Sequence, residues 1–213
     1  MTIRLILATC TLMWAGLTLA QPSADVSRLQ QRWAEINYLL SGKTQITAFE
    51  QLADQANSLV AASPDSPELL IWSGIIKSTY AGARGGLGAL KIAKSAKKDL
   101  EKALEMDPSA LEGSAYTSLG TLYYSVPGWP IGFGDDEKAE QLLQKALTHN
   151  PDGIDPNYFY GDFLLKQNRY REARQYLLQA QQAAPRPGRE IADQGRQQEI
   201  RQRLAELGQQ STD

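Results

Sequence analysis

Residues 157–185 read NYFYGDFLLKQNRYREARQYLLQAQQAAP, and the order of small and large residues in this stretch decides the fold. Gly161 and Ala173 are small enough to let two helices approach closely, and Leu177 can fill the space that remains between them. Pro185 cannot continue a helix, so it ends the second one. The stretch therefore predicts two antiparallel helices joined by a short turn.

The same arrangement occurs twice more upstream. In all three copies the second helix carries alanine, leucine, alanine and proline at successive offsets of 4, 3 and 5 residues. The three sets are Ala96, Leu100, Ala103 and Pro108; Ala139, Leu143, Ala146 and Pro151; and Ala173, Leu177, Ala180 and Pro185. A glycine on the first helix precedes each set, at Gly74, Gly120 and Gly161. Identical spacings in three copies are not expected by chance. The chain is therefore predicted to repeat one structural unit.

This unit resembles the tetratricopeptide repeat (TPR), a helix–turn–helix of about 34 residues with glycine and tyrosine signals on its first helix and a closing proline. The resemblance covers residues 65–185. It implies an all-α fold in which antiparallel helix pairs stack into a right-handed superhelix, because one pair cannot bury its apolar face alone. No alternating strand pattern occurs in the sequence.

Two of the three units are longer than the third. The first-helix glycine and the second-helix alanine are 12 residues apart in the last unit, 19 in the middle unit and 22 in the first. The additional residues fall within AGARGGLGALK (residues 81–91) and VPGWPIGFGDD (residues 126–136). We interpret both stretches as loops inserted between the helices of a pair. Insertions in repeat proteins map to one face, which is often the binding face.

The first twenty residues predict export. Arg4 precedes an apolar run that ends at Thr18-Leu19-Ala20, a pattern typical of a secretory signal peptide cleaved after Ala20. An uncleaved N-terminal anchor is the alternative. With cleavage, the protein is predicted to be periplasmic and to have no membrane-spanning segment.

The remaining chain is predicted to divide into three parts. A helical pattern before the repeats indicates a helix pair that is a degenerate repeat or a cap. A narrow apolar stripe on a polar helix after them indicates a C-terminal cap, with one face on the stack and one in water. The predicted segments are the signal peptide (1–20), the N-terminal helix pair (21–64), three repeats (65–187) and the capping helix with a tail (188–213).

Composition argues against several function classes. A net charge of −2 does not suit general nucleic-acid binding. The single cysteine, Cys10, lies within the predicted signal peptide, so the mature chain is predicted to have no thiol chemistry. The single histidine, His149, has no cysteine to activate and no second histidine with which to hold a metal. We therefore predict a protein that is not an enzyme and has no cofactor or metal.

Aromatic and charged residues on the inserts predict a binding surface. Trp129 and Phe133 stand on a loop of prolines and glycines, where they either pack onto the helices or form a contact site. Arg84 belongs to the other insert, which either cradles an anion on its backbone N–H groups or is a flexible loop before a basic helix face.

The concave side of the stack predicts a second part of the same surface. The TPR resemblance implies that first helices line this groove, at positions that here are apolar, hydroxyl-bearing, aromatic or, in two cases, charged: Ile71, Ile75, Ser78, Thr79, Thr117, Thr121, Tyr124, Ser125, Tyr158, Asp162 and Lys166. Such a groove suits a peptide segment or a small ligand with an apolar body, or it has no ligand of its own. The predicted binding residues are Arg84, Tyr124, Trp129, Phe133, Tyr158, Asp162 and Lys166.

These features predict a periplasmic interaction scaffold that binds another envelope protein through the concave groove and the inserted loops. The alternative is a component of a transport system that binds an apolar molecule or an organic acid. That alternative draws on a second resemblance. Residues 127–147, PGWPIGFGDDEKAEQLLQKAL, are similar to the Pro/Gly-rich insert and following helix in the T component of TRAP transport systems.

Overall fold

The structure, a computed structural model, describes residues 23–210, and nine helices account for most of this range. They are α1 (Ala24–Leu39), α2 (Gly42–Ala62), α3 (Pro67–Arg84), α4 (Gly86–Met106), α5 (Ala110–Ser125), α6 (Asp136–His149), α7 (Ile154–Lys166), α8 (Tyr170–Gln181) and α9 (Glu190–Gln210). The described range contains no strand, only one isolated bridge between Gly128 and Gly134. The predicted signal peptide lies outside the described residues.

The first eight helices form four consecutive pairs. The first helices of successive pairs contact one another, α1 with α3, α3 with α5 and α5 with α7, whereas the second helices of successive pairs make no such contacts. The stack therefore curves, with its first helices on the inner face.

Antiparallel pairing places all turns of one kind at the same edge of the stack. We call the edge with the turns inside the pairs the A–B edge; its turns are residues 40–41, 85, 126–135 and 167–169. The turns that follow each pair lie at the opposite edge and are residues 63–66, 107–109, 150–153 and 182–189. At the A–B edge the side chain of Gln167, in one turn, donates a hydrogen bond at 2.9 Å to Asp136, the first residue after the neighbouring turn.

The helices of a pair approach closely where the sequence predicts. In the last three pairs a Cβ on the first-helix glycine would lie only 2.5–2.8 Å from Cγ of the second-helix leucine: Gly74 with Leu100, Gly120 with Leu143 and Gly161 with Leu177. These leucines are fully buried. The contact needs a residue without a side chain, which explains the glycine in each copy.

The additional residues of the first repeat are helical, so the prediction of a loop over residues 81–91 is wrong. α3 continues to Arg84 and α4 begins at Gly86, which leaves a single residue between them. That residue, Gly85, has φ +59° and ψ −172°, a backbone conformation open to glycine. The added turns bury Ala81 and Ala93, and this packing offsets the low helix propensity of the neighbouring glycines.

The second insert, by contrast, is a loop with its own hydrogen bonds. The amide of Gly134 donates to the carbonyl of Pro127 at 3.0 Å, and the amide of Ile131 donates to the carbonyl of Gly128 at 3.1 Å. A Cβ on Gly134 would lie 1.9 Å from the carbonyl oxygen of Val126, so the loop closes only with glycine at this position. The loop is thus a compact element of fixed shape.

A left-handed turn at the start of α5 is a feature that the sequence reading missed. Leu111, Glu112 and Gly113 all have positive φ, at 48°, 55° and 74°. Gly120 follows the preceding proline, Pro108, by 12 positions, whereas the other two repeat glycines follow theirs by 10. The turn takes up these two extra residues, and the spacing itself is the signal that could have revealed it.

The last helix closes the inner side of the stack. α9 contacts α8 and α7, as the first helix of a further pair would, and it also contacts α1 at the other end of the repeat array. Gly195 lies against the ring of Tyr38, where an added Cβ would come within 2.2 Å of the ring. The predicted stripe is buried at Ile200 and Leu207, but the contact with α1 goes beyond a cap on one end.

Candidate functional site

The predicted groove is occupied by side chains of α9 over its C-terminal half. Nε of Arg203 lies 2.7 Å from Oδ1 of Asp162 on α7. The hydroxyl of Tyr124 on α5 donates to the other carboxylate oxygen, Oδ2, at 2.9 Å. Asp162 is 7% exposed and is fully engaged by these partners. Burial, reinforced by the negative charge of Asp162, raises the pKa of the Tyr124 hydroxyl.

Toward the start of α9, Arg196 fills the adjacent part of the inner face. Its guanidinium lies 4.4 Å from the ring centroid of Tyr158, and its Nε lies 2.9 Å from Oδ1 of Asp155. Arg186 binds the other oxygen of Asp155 at 2.6 Å. Burial raises the pKa of Asp155, but the two guanidinium groups outweigh this effect and hold the pKa well below its usual range.

These contacts correct the prediction for two residues. Tyr158 and Asp162 are 6% and 7% exposed, so a ligand in the groove cannot reach either side chain while α9 is in place. The physical reason is that α9 presents arginines to an inner face that carries carboxylates and aromatic rings. At the other end, α1 covers Thr79, whose hydroxyl accepts the indole N–H of Trp33 at 3.0 Å.

Toward the A–B edge the inner face has exposed positions. Ser125 and Lys166 are exposed there, and Tyr124 is half-buried beneath Lys166, whose Nζ lies 4.5 Å from the ring centroid. We call this the inner-face opening: Tyr124, Ser125 and Lys166. It brings together two of the seven predicted binding residues.

The two aromatic residues of the inserted loop have different environments. Phe133 is half-buried, and its ring meets the ring of Tyr123 edge to face at a centroid distance of 5.6 Å. Trp129 is 89% exposed and Ile131 is 70% exposed. The packing alternative therefore holds for Phe133 and not for Trp129, whose role as a contact residue stays a prediction.

Arg84, the last of the predicted residues, is exposed at the end of α3. Its Nη1 donates to the hydroxyl of Tyr80 at 2.8 Å. It lies at the A–B edge, whereas the buried pair Tyr158 and Asp162 faces α9. The structure thus does not bring the seven predicted residues together into one site.

Two shallow depressions on the described part of the chain include none of the predicted binding residues. One, of about 560 Å³, is lined by residues of α8 and the turn after it, including Leu178 and Gln179, and by Asp152 from the turn before α7. The other, of about 590 Å³, is lined by mostly polar residues before and within α9, including Arg186, Asp193 and Arg201. Residues 23–210 contain no group of His, Cys, Asp or Glu side chains arranged to hold a metal ion.

The charged residues that lock α9 in place escaped the sequence reading. Basic and acidic residues alternate, singly or in twos, along the helix and the turn before it: Arg189, Glu190, Asp193, Arg196, Glu199, Arg201, Arg203 and Glu206. Such alternation is typical of a solvent-exposed helix. Here Arg196 is 7% exposed, and its acidic partner on α7, Asp155, is 41 residues distant in sequence.

Comparison with known proteins supports the TPR superfamily. Residues 131–193 match the family described as Tetratricopeptide repeat. The chain is similar to the solved structure of TTC0263, a thermophilic TPR protein of Thermus thermophilus, with a TM-score of 0.56 at 20% identity, over 84% of this chain and 80% of that one. This likeness concerns the fold alone. The predicted all-α superhelix of TPR-like helix pairs is confirmed.

The chain is also similar to part of a second protein sequence and to a second solved structure. The chain is 34% identical over 106 residues to the type IV pilus assembly protein PilF of Pseudomonas aeruginosa, which is 49% of this chain but 38% of that protein. The chain thus matches well under half the length of this relative. A comparison with the crystal structure of MamA gives a TM-score of 0.46 at 17% identity, over 80% of this chain and 92% of that one.

Proposed function

We propose that this chain is a scaffold in the bacterial envelope that binds a partner protein at the inner-face opening. The observation that carries this proposal is that α9 covers Tyr158 and Asp162, whereas Ser125 and Lys166, beside the half-buried Tyr124, are exposed. The likeness to a pilus assembly protein supports a role in protein assembly. TPR-type stacks present extended surfaces to partners.

The predicted periplasmic location belongs to the same proposal. Its basis is the signal-like segment of residues 1–20, and intact mass of protein recovered from the periplasm should correspond to a chain that begins near Gln21. Full-length protein found in the cytosol would exclude this location. Within residues 23–210, no helix is both long and apolar enough to cross a membrane.

The alternative of a solute-binding transport component has less support. On the inner face, Arg196 covers the ring of Tyr158 and Arg203 pairs with Asp162, so these positions are not open to a solute. The first insert, moreover, is helix and not a second loop. The resemblance to the TRAP T component stays a prediction based on residues 127–147.

A site-specific photocrosslinking experiment tests the scaffold proposal. A photoreactive amino acid at Lys166 should yield a reproducible protein adduct in envelope extract, because this position borders the opening. The matched control is Lys145, which is exposed on the second helix of the preceding pair. The same adducts at both positions, or none at Lys166, would refute the assignment. Mass spectrometry of co-purified small molecules in the same preparation tests the solute alternative.

A further inference from the structure

The large apolar side chains that face solvent are concentrated at one edge of the stack. Five such side chains are exposed in the described part of the chain: Leu39 (65%), Met106 (37%), Trp129 (89%), Ile131 (70%) and Tyr170 (38%). All except Met106 lie in, or directly beside, turns of the A–B edge. The four side chains at the A–B edge come from three of the four helix pairs. They are therefore spread along the stack and do not gather in one pocket.

The two edges also differ in charge. Within four residues of its turns, the A–B edge carries six basic residues, Lys43, Arg84, Lys138, Lys166, Arg169 and Arg171, and four acidic ones, Asp135, Asp136, Glu137 and Glu172. By the same measure the opposite edge carries nine acidic residues and only two basic ones, Arg186 and Arg189; the acidic residues are Asp65, Glu68, Glu105, Asp107, Glu112, Asp152, Asp155, Glu190 and Asp193. The molecule is therefore polarised, with the apolar side chains on its more basic edge.

Most acidic residues of the A–B edge already have partners. Asp135 accepts the backbone N–H of Lys138 at 3.0 Å, Asp136 accepts from Gln167, and Glu172 pairs with Arg169. In the described structure no ion pair involves the other basic residues of this edge, nor Lys91 and Lys94 on the first turns of α4. Unpaired positive charge is thus what this edge offers to a partner.

The loop that carries Trp129 is held beside these cations. A Cβ on Gly132 would lie 3.4 Å from Cδ1 of Leu90, so the loop rests on the first turns of α4, next to Lys91. The hydrogen bonds that close the loop fix its shape before any contact. Trp129 therefore projects from an ordered support, and little ordering has to accompany its burial.

We propose that the A–B edge lies on the surface of an anionic lipid bilayer, with Trp129 and Ile131 inserted among the headgroups. A bilayer is flat and can contact side chains spread along a whole edge, whereas a bound peptide needs a groove. Trp and Tyr are the residues that favour the membrane interface, and basic residues are attracted to anionic lipids. The acidic opposite edge then faces away from the membrane. This inference goes beyond the scaffold role and does not depend on it.

A fluorophore sensitive to polarity can test this orientation. We would label Ile131→Cys in a Cys10→Ser background, with Met106→Cys on the opposite edge as the matched control. The probes are vesicles of phosphatidylethanolamine with phosphatidylglycerol, and vesicles of phosphatidylcholine alone. The label at position 131 should shift to the blue with the anionic vesicles only, and the label at position 106 should not change.

Two further variants separate the apolar and the charged contributions. Adding Trp129→Ala should weaken binding to anionic vesicles about tenfold, because one large apolar side chain no longer inserts. Lys91→Gln and Lys94→Gln should each weaken binding to anionic vesicles about fivefold. Added salt should also weaken this binding, because it screens the attraction between the lysines and the lipid headgroups. Circular dichroism of every variant checks that the helices are intact.

Three results would overturn the proposal. They are no spectral change at position 131 with any vesicle, equal changes at positions 131 and 106, and equal binding to neutral and anionic vesicles. A shift at position 131 that appears with soluble envelope proteins and never with vesicles would assign the edge to a protein partner instead.

Discussion

The carboxylate of Asp162 on α7 binds the guanidinium of Arg203 on α9 at 2.7 Å, and this ion pair lies on the inner face of the stack. Because Tyr124 donates to the same carboxylate, one side chain joins α5, α7 and α9. A residue predicted to bind a ligand is thus a joint between helices. The protein's own last helix therefore covers this part of the inner face.

Removal of the Arg203 guanidinium should therefore cost stability. Arg203→Ala leaves the carboxylate of Asp162 buried with only the Tyr124 hydroxyl, and we expect the free energy of unfolding to fall by about 2 kcal/mol. Urea denaturation measures this change. The matched control is Arg171→Ala, at an exposed arginine without an ion pair in the described structure, which should change stability by less than about 0.5 kcal/mol. Equal effects of the two substitutions would contradict the role of the pair.

The Asp155 carboxylate should make the protein sensitive to acid. Its pKa in the folded state is held below the value of about 3.9 expected for an unfolded chain. The unfolded chain then takes up the proton first, so this stabilisation is complete above about pH 4 and is lost as the pH falls further.

Asp155→Asn should lower stability at neutral pH by about 2–4 kcal/mol and make the remaining stability less dependent on pH in acid. Urea titrations at a series of pH values test this expectation. If the curves of the variant and the parent protein run parallel below pH 4, Asp155 does not carry the effect.

Two glycines on first helices should respond oppositely to substitution. At Gly161 an added Cβ meets Leu177, and Gly161→Leu should destabilise the protein by about 1–3 kcal/mol or more through overpacking. At Gly82, within α3, a Cβ meets nothing within 4 Å, and Gly82→Ala should stabilise by about 0.5–1 kcal/mol through helix propensity. Thermal melts compare the two, and an unchanged melt for Gly161→Leu would remove that residue from the helix contact.

Substitutions of the two aromatic residues of the inserted loop should have different effects on thermal stability. Phe133→Ala removes a ring that packs against Tyr123, and we expect a loss of about 1–2 kcal/mol. Trp129→Ala removes a ring that is 89% exposed, so stability should stay within about 0.5 kcal/mol of the parent. A loss of several degrees for Trp129→Ala would show that this ring packs in solution.

The helix pairs were predictable because their determinants are local. Gly161, Ala173 and Leu177 lie within 16 residues, and their spacing alone specifies a close helix contact. The first insert shows where such reasoning ends. Its length was evident, but whether it formed a loop or longer helices depended on the burial of Ala81 and Ala93 against neighbours that the spacing does not identify.

The site was less predictable because it depends on distant contacts. Nothing near Asp162 in the sequence indicates that Arg203, 41 positions later, neutralises it. The opposite signs of Arg196 and Glu199 favoured an exposed α9, although burial against Tyr158 supplies Arg196 with an aromatic face as well as carboxylates. The side chain of Trp129 is exposed on a loop whose shape is set by internal hydrogen bonds. The composition of the loop does not specify these hydrogen bonds.

The contact between α9 and α1 has a consequence for how this protein can change over evolution. Open repeat arrays gain or lose units by duplication and deletion, since each unit touches only its neighbours. Here a duplicated helix pair would move α1 away from α9 and break the fit of Tyr38 against Gly195. Four pairs is therefore a count fixed by geometry. Variation should enter through loops such as residues 126–135, whose length does not alter the distance between the two helices that meet.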